Sequence, residues 1–318
     1  MSVLARVSLR PSISVERCPA CGAKNYKVAA ALRRGFRDNV ADRTYEQPDY
    51  EIHDCSFCGL LFRTPRLSDD ELSDFYARID YRVWEIAGLH PTERAVHAHL
   101  MRLPAGSRLL DFGCSSGRLF ASLVGDYRCC GIELNRDAAA VAAAKGLCIL
   151  PDNALDTEPS GSFDAVVMVD VFEHLVAPLE TLSKLVRLLR PDGILVLATG
   201  NGDWPICRLD PGQFWYFRHF VHVCMLTLRH AQFVAHSLSL RLERYQPVTH
   251  DDVGLHEWVR QYLQHWAYWQ FRRHTLLSQT VLRTIPVIRR ARSWTSAPRF
   301  SVGRDHVVAQ FRKIGGIS

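Results

Sequence analysis

The run Leu109-Leu110-Asp111-Phe112-Gly113-Cys114-Ser115-Ser116-Gly117, with Glu133 closing the next apolar stretch, constrains this chain more than any other feature. An apolar strand, a turn of small residues and then a helix start make a cradle for a nucleotide. Small residues let the backbone approach a ligand closely, and a helix start offers free N–H donors. An acid on the following strand suits a ribose diol. The three-glycine fingerprint of NAD enzymes is absent.

Apolar runs then alternate with helical ones. Strands are expected at 108–112, 127–133, 147–150, 165–169 and 193–198. Helices are expected at 136–145 and 179–189, with the second stopped by Pro191-Asp192-Gly193. This alternation predicts an α/β, doubly wound, mostly parallel sheet of seven strands. Ligands of such sheets lie beyond the carboxyl ends of the strands, where Asp111, Glu133, Asp152 and Asp170 all fall. A helix near 226–236, a strand near 240–246 and a last strand near 306–311 complete the pattern, with an insertion over 248–301 before that last strand.

Upstream, Cys18-Pro19-Ala20-Cys21-Gly22 and Cys55-Ser56-Phe57-Cys58-Gly59 form two matched knuckles. Four thiolates make a closed tetrahedral zinc site with no open position, so Cys18, Cys21, Cys55 and Cys58 are expected to hold a structural zinc. Tyr50–Asp54 alternates as a strand leading into the second knuckle, and His53 reads as a neighbour and not a ligand. Ser68-Asp69-Asp70-Glu71 is a capping box opening one helix, and Pro91 opens another that runs to Arg102. The layout is a zinc-ribbon module over 1–65, a helical connector over 66–104 and the α/β domain over 105–318.

The 318 residues, 47% of them hydrophobic and 23% charged, suit a globular protein with a sizeable core. The N-terminus lacks the apolar core of a signal peptide and no stretch could span a membrane, so a cytoplasmic protein in a reducing compartment is expected. The net charge is +6, yet Val259–Lys313 alone carries eleven Arg or Lys against one acid, Asp305. That surplus invites an anionic partner. Within the same insertion, Leu255, Trp258, Val259, Tyr262, Leu263, Trp266 and Trp269 recur at helical spacing. The stripe is expected to pack over the acceptor cleft or an interface. A peripheral membrane contact, an anionic nucleotide-sugar site and an RNA surface are its other uses.

These residues resemble the class I S-adenosylmethionine-dependent methyltransferases. Leu110–Gly117 looks like that family's first motif, Gly131–Asn135 its second and Pro151-Asp152-Asn153 its third. Phe163–Val167 through Glu173-His174-Leu175 looks like its fourth. One departure is Ser115, where the family usually has glycine. The resemblance implies that S-adenosylmethionine is the cofactor, bordered by Gly113, Cys114, Ser115, Gly117 and Asp170. Glu133 would accept the ribose hydroxyls, Leu134 would pack on adenine, and Asp152 with Asn153 would face the adenine amine. The ribbon joined to this core also resembles a bacterial subgroup that modifies sugars or acts in polysaccharide and natural-product pathways. A sugar-type or nucleotide-linked small molecule is therefore the expected acceptor, with an RNA methyltransferase as the alternative.

For catalysis, His174 is expected as general base, with Glu173 and His222 beside it. If helical, Asp170, Glu173 and His174 share one face. The same acid-x-x-Glu-His pattern resembles the divalent-metal site of ubiquinone-type O-methyltransferases, with His219 or His222 as a further ligand. Trp204, Trp215, Tyr216 and Phe217 either wall the acceptor pocket or pack in the core.

Overall fold

The computed structural model describes residues 5–8, 13–32, 36–40, 43–274, 276, 280, 284–285, 289–294 and 296–315. Six strands come first: β1 (Ala5–Ser8), β2 (Tyr26–Leu32), β3 (Phe36–Val40), β4 (Arg43–Gln47), β5 (Tyr50–Cys55) and β6 (Leu61–Thr64). The connector helices follow, α1 (Asp69–Arg78) and α2 (Pro91–Leu100). Ser68 caps α1 in a full capping box, its hydroxyl accepting from Glu71 N while Glu71 accepts from Ser68 N.

The α/β unit runs β7 (Arg108–Phe112), β8 (Arg128–Ile132), α3 (Arg136–Ala144), β9 (Cys148–Ile149), α4 (Ala154–Thr157), β10 (Phe163–Val169), α5 (Pro178–Leu188) and β11 (Leu189–Gly200). Then come α6 (Pro205–Leu209), β12 (Cys224–Met225), α7 (Leu228–Ser237), β13 (Leu240–Val248), α8 (Leu255–Arg272) and β14 (His306–Lys313). Seven strands form one sheet in the order β13-β14-β11-β10-β7-β8-β9. β14 is antiparallel to both its neighbours, and the other pairings are parallel. The central strands Ala165–Met168 and Leu195–Ala198 are wholly buried, as strands covered by helices on both faces must be. α5 ends at Leu188, before Pro191, because the residues ahead of a proline leave the helical region.

One expectation fails locally. No α-helix follows the small-residue turn: residues 118–126 wind as successive turns, with Leu123 N bonded to Phe120 O and Asp126 N to Leu123 O. Leu119, Phe120 and Leu123 still face the core beside Val96 and Leu100, so packing is satisfied without regular helix geometry. A three-stranded sheet, β1-β4-β3, was also not anticipated from the sequence.

The ribbon is not a detached module. Its sheet has the order β12-β6-β5-β2, so a strand of the α/β unit completes it, with Cys224 opposite Phe62 and Met225 opposite Leu61. Thr227 Oγ1 donates to Gly59 O at 2.8 Å, and Arg63 Nη2 to Phe217 O at 2.8 Å. The four cysteines converge. Cys18 and Cys58 sulfurs lie 3.5 Å apart, and those of Cys21 and Cys55 3.6 Å. Zinc with about 2.3 Å bonds needs sulfurs about 3.8 Å apart, so the set fits the ion. His53 turns away to Glu51, Nε2 to Oε2 at 3.0 Å, and stacks on Tyr26.

Candidate active site

The turn after β7 shows why the sequence needs small residues there. Gly113 adopts φ 81°, and a Cβ on it would lie 2.5 Å from Val171 Cγ2. Ser115, standing where glycine is usual, holds φ 46°. A left-handed non-glycine residue costs on the order of 1 kcal/mol. The Glu133 carboxylate offsets it by accepting from Ser115 N at 2.8 Å, while its other oxygen takes Asn135 N at 2.8 Å. Gly113→Ala is expected to lower stability by roughly 1–3 kcal/mol, combining wrong φ with the Val171 clash. Thermal melting checks this: an unchanged transition would show that the turn relaxes freely.

The acids at the strand ends form one electrostatic neighbourhood. Asp111 is buried, and one of its carboxyl oxygens has no hydrogen-bond partner. Burial, then the charges of Glu93 and Glu133, push its pKa up to about 8. Glu133 is likewise raised by burial and, weakly, by Asp152, against its backbone N–H donors. Beside it Leu134 is 41% exposed, an apolar side chain held open to solvent. Asp152 and Asn153 are exposed on the next loop. Asn135 ties this edge to the connector, its Nδ2 donating to Tyr76 O and Ile79 O at the end of α1. The buried unpaired oxygen of Asp111, the left-handed small-residue turn and the open Leu134 together fit an adenosyl cofactor.

After β10 the expected single helical face does not form. Asp170 takes φ 51°, and Phe172–His174 is one 3₁₀ turn. Glu173 points inward and is wholly buried, accepting from Thr199 Oγ1 at 2.7 Å and from the Tyr216 hydroxyl. His174 is fixed between Val221 O, 3.0 Å from Nδ1, and the Tyr76 hydroxyl, 3.1 Å from Nε2. Burial lowers its pKa. The buried His222 faces Tyr216 O through Nδ1, and burial holds it well below its ordinary range. Glu173, His174 and His222 do bring ligand atoms within 4.8 Å of one another, whereas Asp170 groups instead with His250 and His306. His219 belongs to neither set.

His306 and His250 are absent from the sequence-derived site, yet they complete it. β14 pairs with β11 so that His306 lies opposite Gly200, at the carboxyl end of the parallel strands. The ring is fully buried with Nε2 3.8 Å from Asp170 Oδ1 and Nδ1 3.4 Å from Asp305 Oδ2. Asp305 is itself anchored by Trp215 Nε1 at 3.1 Å and His250 N at 3.0 Å. Burial opposes a charge on His306, but Asp305, then Asp170 and Glu173, raise its pKa overall. Burial and the Glu173 charge push Asp170 up to about 7, against the Tyr216 hydroxyl, which donates to it at 3.0 Å. All four aromatics are buried in one core cluster, and two of them, Tyr216 and Trp215, also lie against the His306 ring.

Comparison with known proteins bears on the family and the fold. A family model described as a methyltransferase domain matches residues 85–285. The ubiquinone biosynthesis O-methyltransferase of Burkholderia vietnamiensis is 33% identical over 115 residues, covering 33% of this chain and 47% of that protein. The protein of the same name from Xanthomonas oryzae pv. oryzae is 29% identical over 205 residues, covering 55% and 84%. The chain thus spans about half the length of the first relative and most of the second. Among solved structures, the YcgJ protein from Bacillus subtilis superposes with a TM-score of 0.50 at 15% identity, covering 71% of this chain and 99% of that one. That likeness concerns the fold.

Proposed function

Because the chain belongs to the S-adenosylmethionine-dependent methyltransferases, we propose that it methylates a hydroxyl of a small-molecule acceptor, with sugar or glycan-type hydroxyls as the substrate class. The observation that carries hydroxyl chemistry is Asp170 at the rim of the cradle, backed by the buried pair His306 and Asp305. The O-methyltransferase name of the relatives supports transfer to oxygen. The sugar assignment rests on the ribbon-plus-core layout, and an RNA acceptor is disfavoured by the same relatives.

When bound, S-adenosylmethionine would supply the electrophilic methyl group for the acceptor oxygen and leave as its demethylated thioether. Gly113, Cys114, Ser115 and Gly117 would border its methionine end, and Glu133, Leu134, Asp152 and Asn153 its adenosine. Asp170 then accepts the hydroxyl proton as the new carbon–oxygen bond forms. His306, held by Asp305, acts through Asp170 and steadies the charge there. His174, first expected as base, is instead a positioning residue with Glu173 and His222, since their polar atoms are engaged within the protein. Cys18, Cys21, Cys55 and Cys58 would hold zinc, which folds the ribbon and takes no part in transfer.

Asp170 must be ionised to take a proton, and its pKa is raised to about 7, so the rate with a hydroxyl acceptor should climb as pH rises through about 7. Asp170→Asn should abolish that limb and lower kcat by 10²-fold or more, in the usual range for a lost proton acceptor. His306→Gln should lower kcat and shift the limb while leaving cofactor affinity intact. A pH–rate profile on saccharide and phenolic acceptors decides the matter. A pH-independent rate in the Asp170 variant equal to the native one overturns this assignment.

A further inference from the structure

Helix α8 is built inside out. Its protein-facing side carries Gln261, His265, Ala267 and Tyr268, all buried. Gln261 Oε1 accepts from Ser301 N at 3.0 Å, Tyr268 OH donates to Gln213 Oε1 at 2.9 Å, and His265 Nε2 accepts from Trp269 Nε1 at 2.8 Å. The outward side carries Leu255, Trp258, Val259, Tyr262, Leu263 and Trp266, each between 40% and 77% exposed. Their spacing of i, i+3, i+4, i+7, i+8 and i+11 places them within about 140° of arc at 3.6 residues per turn. A surface helix ordinarily turns this stripe to the core and its polar residues to water. Only part of the stripe packs within the chain, Tyr262 against the buried Phe300 with ring centroids 4.7 Å apart and Trp269 on His265, and the rest leaves a contiguous apolar patch open.

Charge says what covers it. Exposed Arg260 borders the stripe, and Arg272 and Arg273 close its C-terminal end, with Arg273 5.9 Å over the Trp269 ring. Residues 255–294 contain seven arginines and one acid, Glu257, which is bonded to Arg260. A lipid interface asks for shallow burial of aromatic and aliphatic side chains under basic flanks, which is what this face offers.

We propose that α8 seats the protein on an anionic lipid surface, its outward stripe entering the headgroup boundary and its arginines meeting the acidic headgroups. The helix starts five residues after His250, whose ring stacks on His306 at 4.4 Å, so the seated face adjoins the acceptor side of the sheet.

Flotation of the full chain with phosphatidylcholine vesicles, with and without phosphatidylglycerol, tests this. Binding is expected to the anionic vesicles, at least tenfold weaker to neutral ones, and weaker in 0.5 M salt. The variant Leu255→Ser, Val259→Ser, Leu263→Ser should lose binding about tenfold with its melting transition and S-adenosylmethionine affinity unchanged, because these three follow the outermost ridge of the helix. Arg272→Gln with Arg273→Gln should lose several-fold and much of the salt dependence. No partition into anionic vesicles, or native-like partition of the triple variant, overturns the proposal. So does a native dimer that ignores vesicles and becomes monomeric in the triple variant. Methyl transfer is read separately in each case.

Discussion

Glu133→Ala should weaken S-adenosylmethionine binding about a hundredfold. In the proposed complex the carboxylate gives up its grip on Ser115 N and Asn135 N only in part, while taking the two ribose hydroxyls. Charge-assisted hydrogen bonds contribute about 1.5–3 kcal/mol each, and two of them correspond to roughly 3 kcal/mol or more, about two decades in Kd. Glu133→Gln keeps the shape and one good acceptor, so a loss of roughly tenfold is expected. Isothermal titration with S-adenosylmethionine gives the affinities, and melting curves without cofactor separate lost contacts from a loosened turn. If the alanine variant binds as tightly as the native chain, the cradle has been placed on the wrong residues.

What the sequence disclosed depended on how local each feature is. The β7 turn, the acid after β8 and the knuckle glycines are short patterns whose chemistry follows from neighbours, and each lies where the spacing put it. Ser115 shows the strength of that reading: the family's glycine is explained by a left-handed φ that the serine still adopts. His306 was invisible for the opposite reason. It lies 136 residues beyond Asp170, and only the antiparallel insertion of β14 between β11 and β13 brings the two together. The helical face assumed for Asp170, Glu173 and His174 does not form, because a left-handed residue and one 3₁₀ turn replace it and send Glu173 inward, although the Tyr216 hydroxyl still joins Asp170 to Glu173. For α8, periodicity revealed the stripe but not its direction, since pattern alone does not say which side meets the protein.

Removing a ribbon thiolate should reach the active site as well as the fold. Purified protein is expected to carry one zinc per chain, and Cys58→Ser should lose it, whereas Cys148→Ser, at an exposed position outside the cluster, should not. In small zinc modules the ion's binding free energy is largely folding free energy, on the order of 10 kcal/mol. Here β12 and its side-chain bonds share the work, so a loss of at least about 3 kcal/mol is expected. For 318 residues, at about 2.1 cal/mol/K of unfolding entropy each, that is a drop of at least about 4–5 °C in Tm. The path to catalysis is short. β12 pairs with β6 of the ribbon, follows His222 by two residues, and Val223 N between them donates to Glu173 O at 2.7 Å. Loosening the knuckles frees β6, then β12, then the turn that holds Glu173 against Tyr216. Transfer rate should therefore fall with zinc content while the isolated Glu133 cradle still binds cofactor. Metal analysis, melting and kcat on the two serine variants test each step, and a Cys58→Ser protein with native zinc, Tm and rate would disprove the coupling.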